Sequence, residues 1–437
     1  SAVRWLPIEL LEHCPRCHSS SKSGTEIATP ISLRGTAPLA NLTYELYRLL
    51  PPSPRPDMKR VPGEGRKLLT FYDSRQGAAR FAAFLQDVAN KQNYRHLIPK
   101  AVDAYWDDRE HAPSYKGLVQ TCTDMALKNK IIQNDPDAKD FWRTSSRRYS
   151  REEIEEASNW VGAQILGEIT TLRRRRQSIE SLGLVSILYF EEEELDNYDF
   201  PGLANRLGLS INQTKSLIKH LLDELRFQKV VSLPSSISAD DPIFGAHKGN
   251  PRIIRQGATN YGQILWIGKT THQRRHKYIK LVLEKNNLPN GGEAVQSTLD
   301  ILWDFLIEDT DIFDGSLEDG YQLRPSRMFF QKNFDMYQCQ RCLRLSTAGG
   351  SLPCPAPNCG GGIKRIEDKE YTLGNYYYQL FQDDLIPIRV EEHTAQLDPR
   401  QGRIYQDLFK SGWINVLSCS TTFEMGIDLG DLQAVAM

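Results

Sequence analysis

Between residues 37 and 50, apolar side chains recur at Leu39, Leu42, Leu46 and Leu49. That is close to the period of about 3.6 that gives a helix one buried face. Pro51 and Pro52 stop this helix, and the Pro-, Gly- and charge-rich stretch 51–65 predicts a surface linker. Residues 67–72 are short, apolar and β-capable, which predicts a buried strand. Directly behind it, Ala78, Ala79, Phe81, Ala82, Leu85 and Val88 share one face of a helix over 75–89. Helix, strand, turn and helix in this order suit an α/β sheet.

A matching pattern closes the chain: strand-like 386–390, helical 400–409 with Gly412 as a stop, a short apolar run 414–418, and 432–437 as a further strand candidate. The two ends look like two parts of one sheet. Between them the texture changes: mostly helical to Glu180, then a helix-turn-helix pattern, then a basic stretch, then cysteines. This predicts an insertion, or a string of small domains, between two strands of the sheet.

The 437 residues, 40% of them hydrophobic, can form several domains with real cores. No long uncharged apolar run is present, and Arg4, Glu9, Glu12 and Arg16 interrupt the first twenty residues, so neither a membrane span nor a signal peptide is expected and the chain is assigned to the cytoplasm. A net charge of -1 gives no global case for nucleic acid. Local clustering does: Lys248, Arg252, Arg255, Lys269, Arg274, Arg275, Lys277 and Lys280 lie in one stretch that contains no Asp or Glu. The block Arg173 to Arg176 is followed by the acidic run Glu191 to Glu194 and reads as a solvated helix face.

Chemistry concentrates where predicted strands end. Tyr72-Asp73-Ser74-Arg75 closes the first strand and Ser420-Thr421-Thr422-Phe423-Glu424-Met425-Gly426-Ile427-Asp428 the last long one, and ligands of open α/β sheets bind at such carboxyl ends. Taken alone, either run is equally an ordinary strand-to-helix turn. Together they resemble motifs IV and V of superfamily-2 helicases of the DEAD/DEAH type, and more narrowly the large helicases of the mitomycin-repair, DISARM and Druantia phage-defence type. Glu392-His393-Thr394-Ala395-Gln396-Leu397 and Phe409-Lys410-Ser411-Gly412 sit where those helicases carry a similar block. The resemblance covers 25–95 and 385–437, and more loosely the cysteine region. It implies a second RecA-like motor domain in which Ser74, Arg75, His393, Thr394, Ser420 and Thr421 contact the nucleic acid. Gly426 and Asp428 would then lie near the ribose and γ-phosphate. Ser420 stands where the family usually has Thr, which keeps a hydroxyl. No phosphate-cradling G-x-x-x-x-G-K-[ST] loop and no strand-borne Asp-Glu pair for Mg²⁺ occurs, and the chain stops before an Arg-rich motif VI. ATP and Mg²⁺ are therefore expected only together with a first motor domain elsewhere in the polypeptide, and this chain alone should not hydrolyse ATP.

Cys339-x2-Cys342-x11-Cys354-x4-Cys359 has the spacing of a tetrahedral four-thiolate zinc site, with Gly349-Gly350 and Gly360-Gly361-Gly362 as turns around the ion. No open ligand position for a reactive water is offered, so the ion is structural. Cys14 and Cys17 form half of such a site; His13, His18 or residues beyond the chain would complete it. Cys122 and Cys419 stand alone as core residues.

Residues 200–233 read as a short helix, a turn at Gly208, a longer helix and a strand at Val230-Val231, the pattern of a winged helix. Gln213, Lys215, Lys219 and His220 would then either touch DNA or leave the helix a scaffold. In the basic stretch, Tyr261, Trp266 and Tyr278 offer stacking rings beside Lys269, Arg274, Arg275 and Lys277; the other reading buries Trp266 in a strand with the lysines outside.

The chain is thereby divided into a partial cysteine-knuckle segment (1–24), the first part of a motor domain (25–95), a helical insertion (96–180), a winged-helix-like segment (181–240), a basic and aromatic region (241–335), a zinc ribbon (336–366) and the remainder of the motor domain (367–437). The expected fold class is α/β: a RecA-like parallel sheet interrupted by a mostly helical insertion. The expected function is part of an ATP-dependent DNA helicase or translocase in anti-phage defence or repair. Its partners would be single-stranded or forked DNA, the first motor domain and other defence-system subunits, with no membrane. The rival is a non-catalytic zinc and winged-helix DNA-binding module or assembly subunit.

Overall fold

The computed structural model describes residues 36–131, 149–170, 178–238, 250–257, 259–268, 273–349, 351–356, 359–366, 376–382, 384–394, 397–420 and 431–436. They fall into two compact units. One comprises Ser32–Ala104, Val119–Ile165 and Leu380–Met437; the other comprises Tyr105–Leu118 and Leu166–Gln379 among the described residues.

The first unit is built on a four-stranded parallel sheet in the spatial order Val390–His393, Val416–Ser420, Leu68–Tyr72, Ala434–Ala436. The central pair comes from opposite ends of the chain, with Leu68 opposite Val416 and Tyr72 opposite Ser420. Successive residues of a strand point to opposite faces, and both faces are covered. Leu68, Val390 and Val416 pack under Phe81, Leu85 and Ala89 of the helix Arg75–Arg109 and under Tyr44 and Tyr47 of the helix Thr36–Leu49. Leu69, Leu417 and Cys419 pack against Tyr405 and Phe409 of the helix Pro399–Lys410. Two covered faces explain why these strands read as apolar runs rather than alternations.

Side-chain amides finish what the ladder leaves open. Asn415 is fully buried; its Nδ2 donates to the carbonyls of Pro62 (2.9 Å) and Arg66 (3.1 Å) while its Oδ1 accepts from the Arg389 N–H (2.9 Å). Gln86 does the same for the edge strand, accepting from the Val390 N–H at 2.7 Å and donating to the Ile388 carbonyl at 3.2 Å. Gln433 accepts from the Lys67 N–H and donates to the Pro51 carbonyl.

Some elements differ from the pattern-based expectation. The helix expected over 75–89 runs on to Arg109. The edge strand lies at Val390–His393, later than 386–390, because residues 386–389 lead into the sheet and the ladder with Val416 begins only at Val390. The helix Thr36–Leu49 turns its leucines outward, with Leu42 68% and Leu49 82% exposed. It buries the neighbouring stripe Ala40, Thr43, Tyr44 and Tyr47 instead. Two tyrosines bury more surface than two leucines, and each hydroxyl finds an acceptor: Asn93 Oδ1 at 3.3 Å and the Pro387 carbonyl at 2.9 Å. Gly63, at φ 58°, lets the Tyr47 hydroxyl reach that carbonyl, since a Cβ there would sit on the phenol oxygen.

The second unit contains the helices Phe200–Leu207, Ile211–Phe227, Arg274–Lys285 and Gly292–Glu308, a four-stranded sheet of Gln263–Leu265, Arg252–Ile254, Gly320–Leu323 and Phe313–Ser316, and a two-stranded pair, Ser186–Leu188 with Phe329–Gln331. A small three-stranded antiparallel sheet, Ile363–Arg365, Tyr337–Cys339 and Leu345–Ser346, carries the cysteines. The strand expected at Val230-Val231 is a single bridge from Val231 to Leu323.

Replacing Asn415 with Ala strands one buried N–H and two carbonyls, and unpaired buried groups cost about 1–3 kcal/mol each before relaxation. Asn415→Ala is therefore expected to lower unfolding stability by roughly 2–4 kcal/mol, read as a lower urea midpoint at constant slope. A midpoint within error of the parent would show that these three bonds carry nothing.

Candidate metal centre and nucleic-acid interface

The four cysteines of the small antiparallel sheet converge. Cys339 ends a strand, and the knuckle after it closes through Leu343, whose backbone is left-handed (φ 60°). The N–H groups of Arg341 and Cys342 point at Cys339 Sγ (3.4 and 3.5 Å), and that of Ala356 points at Cys354 Sγ (3.5 Å). Gly361 passes so close to the cluster that a Cβ would lie 2.8 Å from Cys339 Sγ. Cys339 and Cys359 sulfurs are 3.6 Å apart, Cys342 and Cys354 sulfurs 3.7 Å, and all four lie within 4.8 Å of one another. Disulfides need about 2.05 Å. A tetrahedron with metal–sulfur bonds of about 2.3 Å spaces its sulfurs about 3.8 Å apart, so the arrangement fits one metal ion.

A hydrogen bond from Cys354 brings the Cys342 thiol down to about 4, and the same contact drives Cys354 far above the usual thiol range. Burial lifts Cys359 to about 11. An ion is held by thiolates, so binding it releases protons from this cluster. Cys14 and Cys17 lie outside the described residues. Among the described residues, Cys122 and Cys419 are buried free thiols outside this cluster.

The basic stretch divides sharply. Arg275 is buried: its Nη1 donates to the carbonyls of Leu265 and Trp266 (3.0 Å each), and its Nε stands 3.5 Å from Glu224. Arg255 is spent on Asp300 and Asp304. Trp266 is a core residue whose indole N–H donates to the Leu299 carbonyl at 2.8 Å, and Tyr278 is buried with its hydroxyl on the Pro353 carbonyl at 3.1 Å. These two rings are therefore not exposed for stacking on bases, and the guanidinium of Arg275 is already taken up by carbonyls. Helical period explains it: Arg275, Tyr278, Ile279 and Val282 share the inward face of Arg274–Lys285. The same period, applied to this helix, would have found it. Arg274, Lys277 and Lys280 are exposed and have no ionic partner among the described residues, while Tyr261 is 86% exposed. Lys248 and Lys269 lie outside the described residues.

The helix Ile211–Phe227 is held by a capping box between Ser210 and Gln213, after Gly208 closes the preceding helix in a left-handed turn. Several of its polar residues are tied down within the protein. Lys219 donates to the Ile187 carbonyl at 2.5 Å and pairs with Asp223, and Lys215 lies over the Phe200 ring. His220 is buried and held down to about 4 by desolvation, hence neutral. Gln213 bonds Asn286. Arg226, fully buried, meets Glu180, Asp223, the Tyr189 hydroxyl and the Ile169 carbonyl. Lys219 and His220 are therefore not the exposed groups that the helix-turn-helix pattern suggested, and along this helix only Ile211 and Asn212 are exposed. Local spacing shows the Arg226–Asp223 pair but not the burial of Arg226, because Glu180 lies 46 positions away.

At the parallel sheet, the motif residues gather on one edge. All strands run the same way, so Tyr72, His393 and Ser420 end at the same carboxyl edge, with Tyr72 opposite Ser420 and His393 opposite Cys419. Ser74 caps the helix behind its strand, its Oγ accepting the Gly77 N–H at 3.0 Å, and both Ser74 and Arg75 are exposed. His393 is half-buried, lowered in pKa by that burial, and stands 2.9 Å from the Gln406 amide nitrogen through Nε2. Its neutral ring can accept from that amide. Thr394 and Ser420 are buried, so among the described residues Ser74 and Arg75 are the exposed ones of the contacts expected on this edge. Thr421, Gly426 and Asp428 lie outside the described residues.

The metal cluster predicts one ion per chain from Cys339, Cys342, Cys354 and Cys359. Elemental analysis of Cys339→Ser with Cys342→Ser should find that ion gone; unchanged metal content would move the site elsewhere.

The chain is similar to the Druantia protein DruE of Escherichia coli (strain UMEA 4076-1), with 23% identity across 98% of its own length. It spans 24% of the length of that relative. No protein-family model and no solved structure matches. Among the described residues no helix is long and apolar enough to cross a membrane.

Proposed function

We propose that this chain supplies the second, RecA-like motor domain of an ATP-dependent DNA helicase or translocase acting in the cytoplasm in defence against phage. The observation that carries it is the shared carboxyl edge of Tyr72-Asp73-Ser74-Arg75, His393-Thr394 and Ser420, drawn from two ends of the chain onto one parallel sheet. In open α/β sheets that edge is where ligands bind. Ser74 and Arg75 offer an exposed hydroxyl and guanidinium to a strand. By the family resemblance, Thr421 would contact the strand, and Gly426 and Asp428 would lie near the ribose and γ-phosphate. ATP and Mg²⁺ would be bound with a first motor domain, since these 437 residues contain no phosphate-cradling loop. The similarity to a Druantia protein supports the defence setting and, with it, other subunits of such a system as partners.

The metal is proposed to be zinc in a structural role: four thiolates, tetrahedral spacing and no open ligand position are the features of such sites. The rival reading, a non-catalytic DNA-binding module, is weakened by the closed polar face of the helix Ile211–Phe227, which leaves little for a groove to meet.

In the full-length polypeptide, Asp428→Ala should lower DNA-stimulated ATPase and unwinding at least tenfold while changing DNA affinity little, about 1.4 kcal/mol or more of lost coupling. Thr421→Ala should weaken DNA binding and stimulation together. Parental unwinding by Asp428→Ala, or ATP hydrolysis by the 437-residue chain alone, would sink the motor assignment in favour of the binding module.

A further inference from the structure

We propose that the cysteine ribbon and the helix Arg274–Lys285 form one phosphate-binding surface for a nucleic-acid strand, completed only when the four thiols hold their ion. The inference rests on the nucleic-acid reading above and adds to it a dependence on the metal.

Two contacts dock the ribbon on the helix. The Tyr278 hydroxyl donates to the carbonyl of Pro353, the residue before Cys354. Leu281 packs on Gly360, the residue after Cys359, where an added Cβ would come within 3.2 Å of the leucine methyl. Both ribbon residues belong to the loops that carry metal ligands, so the ion that fixes these loops also fixes what they touch. Arg341, inside the first knuckle, lies against the next glycine, Gly361, and its Nη1 donates to the Cys359 carbonyl at 2.7 Å. That bond orients the guanidinium without neutralising it, and the side chain is exposed.

Arg274, Lys277 and Lys280 follow one another at three-residue steps on the exposed face, about 4.5 Å apart along the helix axis. This is of the order of the roughly 3.4 Å repeat of charge along one strand of DNA. By helical period Leu281 falls between Arg274 and Lys277, and it is half-buried beneath Gly360, so the ribbon docks on the same side of the helix as the basic row. The only acid on the exposed side of this helix is Glu284, one turn beyond Lys280. A lipid surface is disfavoured, because a helix lying on a membrane needs an apolar face to insert. Here Tyr278, Ile279, Val282 and Leu283 are all buried in the protein.

The test measures binding of a labelled single-stranded oligonucleotide to the 437-residue chain across a salt series, with the metal bound and after chelation. Each lost phosphate contact on a single strand should lower the salt slope by about 0.7. Arg274→Ala with Lys277→Ala and Lys280→Ala is expected to lower it by about 2. Arg341→Ala, which leaves the ligands in place, should cost about 0.7 in the metal-bound protein and nothing further once the metal is removed. Leu281→Gln, checked to retain its ion, should behave like the chelated parent. If chelation, Arg341→Ala and Leu281→Gln all leave the slope at its parental value while the triple variant lowers it, the metal-dependent surface is wrong and the nucleic-acid reading stands. If the triple variant is also unchanged while the oligonucleotide still binds, the whole surface is wrong and the sheet-edge reading stands; if the chain binds anionic vesicles and not the oligonucleotide, both are wrong.

Discussion

Everything the sheet does depends on closing a chain that leaves and returns after more than three hundred residues, and Asn415 is the side chain that closes it. Its amide reaches the Pro62 carbonyl 353 positions away and the Arg389 N–H just before the edge strand. The three bonds fix the amino ends of three parallel strands together. With those ends fixed, the strands are in register, and register alone decides which residues arrive at the opposite, carboxyl edge. A slip of one residue would exchange the two faces, exposing Leu69 and Leu417 to the partners of Leu68 and Val416. The positions of Ser74, His393 and Ser420 are therefore consequences of packing far from any ligand. The cost of closing so long a loop grows only slowly with its length, which is why an insertion of this size is tolerated.

Much of the sheet was legible in the sequence because both faces are buried. Strands covered on both sides are short apolar runs, and Leu68–Tyr72 and Val416–Ser420 have that form, each followed by polar residues. The cysteine cluster was legible for a different reason: ligands held by two tight knuckles are necessarily close in sequence. Periodicity failed where two apolar stripes compete, as on Thr36–Leu49, since it counts leucines and does not weigh two tyrosines with acceptors in reach. It also failed where charge is buried. Arg275 and Arg226 look like surface cations in the sequence, yet each is satisfied by carbonyls and carboxylates supplied from distant segments. Burying a guanidinium is tolerable only with such partners, and those partners cannot be read from local spacing.

The two units thus divide the labour of binding charge differently. On the sheet, polar residues are delivered by strand ends to an edge. In the other unit, most polar groups of the helix Ile211–Phe227 are tied down within the protein, while Arg274, Lys277 and Lys280, on the helix beside the cysteine ribbon, stay exposed. A helix whose polar side is internally satisfied serves as a scaffold. The exposed row Arg274, Lys277 and Lys280 is therefore the better candidate for contact with phosphates than the residues of Ile211–Phe227.

The central claim is that the carboxyl edge of the parallel sheet carries the nucleic-acid strand. Photo-crosslinking of a single-stranded oligonucleotide to the full-length polypeptide, with mapping of the adducts by mass spectrometry, addresses it directly. The account predicts adducts on the peptides that contain Ser74-Arg75, His393-Thr394 and Ser420-Thr421. Adducts confined to other segments, with these three peptides recovered unmodified, would contradict it.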